Sequence, residues 1–566
     1  MSTDPHAGAS RTDLVLCWHM HQPEYRDTAS GSYLRPWSYL HGIKDYTDMA
    51  AVIEAVPEAR AVVNFSPTLL EQIEDYATQL RAHLERGATL RDPVLAWLAA
   101  DHLPGSAEVR REIAAQGLRA NAQRMIERFP AYARLAVLAR QALAEPTVFG
   151  WLADQFYFDL LVWHHLAWCG ESLRRSDPRV SALMAREAGF DHSDRRSLLA
   201  AIADALAGII PRYRALADAG RIELSVTPYS HPILPLLLDL ASAREAVPVL
   251  PLPHAHYPGG AERTRWQLDA AKAVFERCFG RAPAGCWPSE GALSAPSVEL
   301  IAAAGFQWTA SGQQVLHHST APTGDGACIH HAYRLDKLPT LCFFRDDGLS
   351  DKIGFEYQSW RAEDAVADLV HHLETIDRAC RDRQHRVIAI ILDGENCWEH
   401  YPHNGDFFLP ELYRTLGRHP RFNLTTFAAS AAAAQPLPLP KLVAGSWVYG
   451  TLTTWIGDPD KNRAWEMLCA AKGVCDQVLA APGLDPARRA AIERQLALCE
   501  ASDWFWWFGD YNPADAVAEF DQLYRSHLRH LYQLLDRPAP AELAAVGFQG
   551  RGSPEFGGVM RRGRSG

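Results

Sequence analysis

The chain has no C-x-x-C pair among its eleven cysteines, and the odd count leaves at least one thiol unpaired. Scattered cysteines of this kind argue against a disulfide framework or a cysteine zinc site and for reduced thiols in a cytoplasmic protein. No window approaches 18 consecutive apolar residues, and Met1 to Asp13 contain no apolar core, so neither a transmembrane helix nor a secretory signal is expected. Basic runs are missing until the last few residues. With Lys+Arg 56 against Asp+Glu 67 the net charge is −11, which makes nucleic acid and anionic membranes poor partners and suits a neutral or cationic ligand better. Tryptophan, by contrast, is abundant. Seventeen of them, several beside polar residues, exceed what a core usually needs, and aromatic faces commonly hold sugars or other flat apolar ligand faces.

At 566 residues, 48% hydrophobic and 22% charged, the chain has ordinary globular usage and room for two or more domains. A pattern recurs along it: a short apolar run, a polar residue, then a helical segment. The runs are Leu14–Trp18, Ala61–Val63, Ile222–Val226, Ala284–Trp287, Phe306–Thr309, Leu341–Phe344 and Val387–Leu392. Seven strands alternating with helices imply a parallel sheet, and a parallel barrel puts its working residues at the carboxyl ends of its strands. The histidines and acids sit almost wholly at those ends, which favours an irregular (β/α)7 barrel over an open doubly wound sheet with a single crevice. Residues 13–421 are assigned to this barrel after a flexible stretch 1–12, with a helical insertion over about 68–220. Residues 422–440 read as an Ala/Pro-rich connector opening a C-terminal helical domain (422–535), and 536–566 as a disordered tail.

Two carboxylates stand out. Glu290 follows Trp287-Pro288-Ser289 and precedes Gly291, so a tight turn lifts it toward the mouth, and Asp393 ends the seventh run. Two acids facing one cavity can divide the roles of nucleophile and proton donor in glycoside cleavage, with retention at about 5–5.5 Å separation and inversion at about 6.5–9.5 Å. The plainer alternatives are that Asp393 caps the following turn and that Glu290 stabilises a helix N-terminus. His19 and His21, alternating on the first strand, point to one side. With His231 and an acid such as Asp393 they form a rival set that binds a divalent metal for deacetylation or deamination. Arg345, Asp346 and Asp347 either orient Glu290, bind a hydroxyl, or pair among themselves.

Five ordered segments carry a resemblance. His19-Met20-His21-Gln22-Pro23, Glu223 through Leu236, Trp287-Pro288-Ser289-Glu290-Gly291, Leu392-Asp393-Gly394-Glu395-Asn396 and Trp455 through Glu466 are similar to the five conserved regions of glycoside hydrolase family 57. The stretches around Asp503-Trp504-Phe505-Trp506-Trp507 and Phe520 through Leu528 resemble the end of its α-amylase-like members. The resemblance implies a retaining enzyme acting on α-glucans, built as an incomplete seven-stranded barrel followed by a helical domain that completes the site. It makes Glu290 the nucleophile and Asp393 the general acid/base, sets His21 and His231 against glucosyl hydroxyls, and implies no metal and no cofactor. Both carboxylate contexts are similar to the α-amylase and amylopullulanase branch. The expected substrate-binding set is His19, His21, Gln22, His231, Trp287, Arg345, Asp346, Glu395, Trp398, Trp455, Asp458, Lys461 and Trp465, with Trp504, Trp506 and Trp507 expected in the core. Cleavage of α-1,4 and also α-1,6 bonds is the leading expectation. Transglycosylation, a metal-dependent deacetylase and a glucan-binding protein with a misaligned pair are the alternatives, and the oligomeric state is left open.

Overall fold

The structure is a computed structural model that describes residues 11–320 and 327–552. Its strands in chain order are β1 (Thr12–Met20), β2 (Ala61–Phe65), β3 (Ile222–Val226), β4 (Gly285–Cys286), β5 (Trp308–Gly312), β6 (Tyr333–Leu335), β7 (Leu341–Arg345), β8 (Val387–Asp393), β9 (Phe422–Thr425) and β10 (Leu437–Leu439). Strands β1, β2, β3, β4, β5, β7 and β8 pair in that order, all in parallel, and β8 also pairs with β1. The sheet therefore closes into a seven-stranded barrel, which excludes the open doubly wound arrangement.

Closure explains the long apolar runs. A strand in a barrel wrapped by helices is buried on both faces, so alternation in the sequence is erased while alternation in space remains. In β1, Leu14, Leu16, Trp18 and Met20 face the helices and Val15 and Cys17 face the lumen. In β8, Ile388, Ile390 and Leu392 face outward and Val387, Ala389 and Ile391 inward. His19 and Asp393 share the inward parity and stand opposite each other in the register. The two-residue period thus delivers both into the barrel at its carboxyl end.

The stretch 422–440 is not a connector, which corrects the boundary at 421. Strand β9 pairs with the start of β1, and β10 pairs with β6 on the barrel's flank. Between them the helix Phe427–Ala433 plugs the lumen from below. The Phe427 ring lies 4.5 Å from Trp308 and 4.9 Å from Phe343, and half-buried Glu223 accepts hydrogen bonds from Ala428 N (2.8 Å) and Trp308 Nε1 (2.6 Å). An alanine-rich segment suits this place because small side chains let a helix approach a narrow barrel end.

The interval after β2 is helical, from Pro67–Arg86 to His192–Asp218, and its middle lies over the barrel mouth. The helices Pro459–Leu479, Pro486–Cys499, Ser502–Trp507 and Ala514–Leu534 form the C-terminal part. Within the stretch expected as a tail, Leu543 is buried and Phe548 stacks on Phe508 at 4.1 Å. Of the flexible stretch expected at 1–12, residues 1–10 lie outside the described residues, as do 553–566 of the tail, while Thr12 opens β1 and hydrogen-bonds Asp377. Among the described residues no helix is long and apolar enough to cross a membrane.

Candidate active site

Above the carboxyl ends of the strands lies a cavity of about 840 Å³, lined by barrel, insertion and C-terminal helices together. Glu290 and Asp393 both line it. They arrive by different routes. Asp393 is the last residue of β8 and points inward by strand parity. Glu290 leaves the two-residue β4 through a turn in which its own φ is 57° and that of Gly291 is 60°. A non-glycine residue rarely holds this left-handed conformation without support. The support comes from the segment after the barrel: Trp447 N donates to the Glu290 carbonyl (3.0 Å), Trp447 Nε1 donates to Glu290 Oε2 (2.8 Å), and Leu293 and Gly445 exchange backbone hydrogen bonds. Gly291 is obligatory because a Cβ there would stand 2.7 Å from Trp287 Cη2.

A row of hydrogen bonds crosses the barrel top beneath the acids. His19 Nδ1 meets Asn64 Oδ1 at 2.7 Å, Asn64 Nδ2 donates to Ser225 Oγ, and the Thr227 hydroxyl reaches Asn64 Oδ1 and the Trp287 carbonyl. His19 Nε2 lies 3.1 Å from His231 Nε2, and the His231 ring stacks on His21 with centroids 3.7 Å apart. Burial, reinforced by the neighbouring imidazoles, lowers the His19 pKa to about 3 and holds His231 well below the ordinary value, so both rings are neutral. The C-terminal helices fix this trio: Ser502 Oγ bonds His231 Nδ1 at 2.8 Å and Asp503 Oδ1 bonds His21 Nε2 at 2.9 Å.

Desolvation raises the Asp393 carboxyl above its ordinary value, against the opposing hydrogen bond from Asn396 Nδ2 (2.8 Å) and the charges of His21 and Arg345. Glu395 is pushed well above its ordinary value, first by burial and then by Asp393 and Asp45, while accepting hydrogen bonds from His21 N (3.3 Å) and Gln22 Nε2 (3.2 Å). A buried acid that keeps its proton toward neutral pH is suited to proton donation.

Of the expected residues, the cavity brings together Glu290, Asp393, His19, His21, Gln22, Arg345 and Glu395. His231 backs the cavity through its stack on His21. The remaining assignments are corrected to supporting places, because each side chain is committed to the fold. Trp287 is buried edge-on to Trp447, and Trp398 is buried against Trp18 with Nε1 on the Gly394 carbonyl. Asp346 caps the helix Asp347–Asp351 and bonds His330, while Asp458 caps the helix Pro459–Leu479. Lys461 is buried on the carbonyl of Phe505, and Trp465 stacks on Phe505 and donates to the carbonyl of Trp455, itself buried. Arg345 pairs with Asp347 and Asp351, donates to the Ile391 carbonyl, and stands 5.3 Å over the Trp447 ring. It thus braces the tryptophan that holds Glu290. Of the three tryptophans expected in the core, Trp504 and Trp506 are buried there, while Trp507 is only partly buried, and Trp506 and Trp507 also line the cavity.

Trp447 and Asp503 were missed as site residues, as were Trp37, Arg119, Asn121 and Trp168 from the parts over the mouth. Nothing in their local sequence separates them from core or surface residues. Only the flanking Gly445-Ser446 hinted that Trp447 sits in a loop.

The rival metal set is also re-sorted. His21, His231 and Asp503 have ligand atoms within 4.8 Å of one another, whereas Asp393 is not a member of that group. The residues are of types that bind a divalent cation, but the two imidazole rings stack on each other and all four of their ring nitrogens already have protein partners.

Barrel, lumen-facing acids and a mouth walled by tryptophans define a (β/α)-barrel enzyme class with paired carboxylates at its strand ends. Residues 15–437 match glycosyl hydrolase family 57, and the chain belongs to that family. Its fold is shared with GH57-type branching enzymes of Thermococcus kodakaraensis (TM-score 0.58, 14% identity, covering 92% of this chain and 90% of that one) and Pyrococcus horikoshii (0.56, 15%, 94% and 96%). It is shared equally with the alpha-amylase AmyC of Thermotoga maritima (0.56, 14%, 97% and 95%). No curated protein matches the sequence.

Proposed function

We propose that the protein is a retaining α-glucan-active glycosidase that cleaves α-1,4 and also α-1,6 glucosidic bonds, with Glu290 as nucleophile and Asp393 as general acid/base. The observation that carries this reading is that the two carboxylates line one cavity in contrasting environments. Glu290 is oriented by the indole N–H of Trp447, and Asp393 is desolvated so that its protonated form is favoured. Asp393 gives its proton to the departing glycosidic oxygen as Glu290 attacks the anomeric carbon, and then draws a proton from the acceptor that releases the glucosyl group. Neutral His19 and, tied to Asp503, His21 line the cavity beside the acids, with His231 stacked behind them. The enzyme names of the fold relatives agree with an α-glucan substrate, and eleven free cysteines agree with a reducing, cytoplasmic setting.

Transglycosylation is the second reading, favoured by the mouth itself. The partly open rings of Trp37 and Trp507 stand at the mouth in front of the buried Trp168, Trp506 and Phe520, an aromatic wall suited to a second sugar, and a bound sugar excludes the water that hydrolysis needs. Incubation with soluble starch, pullulan and maltooligosaccharides tests both. New reducing ends are expected for hydrolysis; a redistributed ladder with constant reducing ends marks transfer, and no change in any substrate defeats the proposal. Activity that disappears with EDTA would return the metal-dependent deacetylase class to consideration.

A further inference from the structure

Away from the cavity, on the flank of the barrel, three side chains converge that the glycosidase reading does not use. Cys328 and His330 lie on the loop leading into β6, and Cys380 ends the helix Ala362–Ala379. Cys328 Sγ and Cys380 Sγ are 3.5 Å apart, and each lies 3.8 Å from His330 Nδ1. The other ring nitrogen, His330 Nε2, is 3.0 Å from Asp346 Oδ2. Tetrahedral bonds of about 2.3 Å to sulfur and about 2.0 Å to nitrogen separate two sulfurs by about 3.8 Å and a sulfur from a nitrogen by about 3.5 Å. The three observed edges fall within a few tenths of an ångström of that triangle. Asp346 completes the likeness. A metal-bound histidine characteristically gives its second N–H to a carboxylate, which turns the other nitrogen toward the metal.

We propose that Cys328, His330 and Cys380 form a site for a single thiolate-preferring divalent cation of the zinc class, oriented by Asp346 and with the fourth position left to water. Cys380 is buried while Cys328 and His330 are partly open, so the cation has an approach from the surface. The site joins three pieces of chain. The His330 carbonyl accepts from Val387 N at the foot of β8, Cys380 belongs to the preceding helix, and Asp346 caps the helix Asp347–Asp351. Asp346 also follows Arg345, the residue over Trp447, so a bound cation stiffens the strand end that braces Glu290. Absence of a C-x-x-C pair had argued against a cysteine zinc site; the ligands here are a C-x-H pair and a cysteine 52 positions away on another element.

Cobalt(II) added alone to the full-length, chelator-stripped protein tests this. About one cobalt per chain is expected to bind with a sulfur-to-cobalt charge-transfer band that zinc(II) abolishes. Binding at the His21, His231 and Asp503 group would lack that band. The band is expected to vanish in Cys328→Ser and Cys380→Ser and to persist in His21→Gln. Zinc is expected to raise the thermal midpoint of the stripped wild-type chain but not of Cys328→Ser. The wild-type spectrum decides the matter even where a variant folds poorly: its absence overturns the site. So does a band retained in Cys328→Ser, or a Cys328–Cys380 disulfide in the protein isolated under reducing conditions.

Discussion

The two strand ends that carry the acids are built in opposite ways. Strand β8 is seven residues long, paired on both sides, and brings Asp393 inward by the parity of its own backbone. Strand β4 is two residues long and brings Glu290 inward only through a left-handed turn held by Trp447, 157 positions later. One acid is positioned by the sheet and the other by a tertiary contact. The glycines that follow them repeat the contrast. Gly291 is required by a positive φ, whereas Gly394 has ordinary φ but no space, since a Cβ there would overlap the Met20 sulfur. Losses on the β8 side should therefore be chemical, and losses on the β4 side should be losses of placement.

The largest effect expected is loss of either acid. Glu290→Gln and Asp393→Asn should each lower kcat/KM by at least about 10³-fold on maltooligosaccharides, since each removes a group the reaction requires. Azide separates the two roles: it should rescue Glu290→Ala with inverted anomeric configuration and Asp393→Ala with retained configuration. Near-normal rates in both conservative variants would refute the assignment.

Trp447→Phe removes a hydrogen bond to a charged group worth about 1.5–3 kcal/mol, which corresponds to about 10–150-fold in kcat/KM. The loss should appear without a shift of the alkaline limb, because Asp393 is untouched. A shifted limb would show that the two sides are coupled. Gly291→Ala should cost stability and rate together, by about 1–3 kcal/mol for a strained backbone, read as a lower thermal midpoint with a lower kcat.

On the β8 side, Asn396→Ala should act through pH. The Asn396 hydrogen bond lowers the Asp393 pKa, so its removal raises that pKa further. The acid then stays protonated to higher pH, and the alkaline limb of the kcat profile should move up, with a modest change at the optimum. A downward move would mean that Asp393 is not the proton donor.

The smallest effect is expected at Glu395. Burial raises its pKa in the folded state, so above the unfolded value the unfolded chain releases a proton that the folded chain keeps, and stability falls as pH rises through that window. Glu395→Gln should abolish this dependence, melting no lower than wild type at pH 7 with the difference shrinking toward pH 4. A variant that melts much lower at pH 7 would mean the charged carboxylate is needed.

The legible part of this protein was what the chain carries locally. Apolar runs ending in acids and histidines announced seven strands, the barrel, and the acids and histidines at its mouth, because the run of apolar residues and what ends it are properties of the local chain alone. Less legible were β6, β9 and β10, three or four residues each, and the alanine-rich segment whose Phe427 floors the barrel; short elements of plain composition carry no periodicity. The tryptophans of the C-terminal part illustrate the limit. Trp455 and Trp465 read as substrate-binding yet serve the core, while Trp507 reads as core yet lines the cavity, and Trp506 does both. An indole packs on a phenylalanine or a sugar with the same chemistry, and only the neighbours distinguish them.

What the sequence alone determined is therefore the sheet, its closure and the two acids at its mouth, since strand pairing and parity follow from local pattern. Tertiary structure alone decided that Trp447 would orient Glu290, that Asp503 would reach His21 across 482 positions, and that Cys328, His330 and Cys380 would meet. The reason is physical: a hydrogen bond or a ligand triangle depends on distances of a few ångströms, and residues far apart in sequence acquire such distances only when every intervening element has packed.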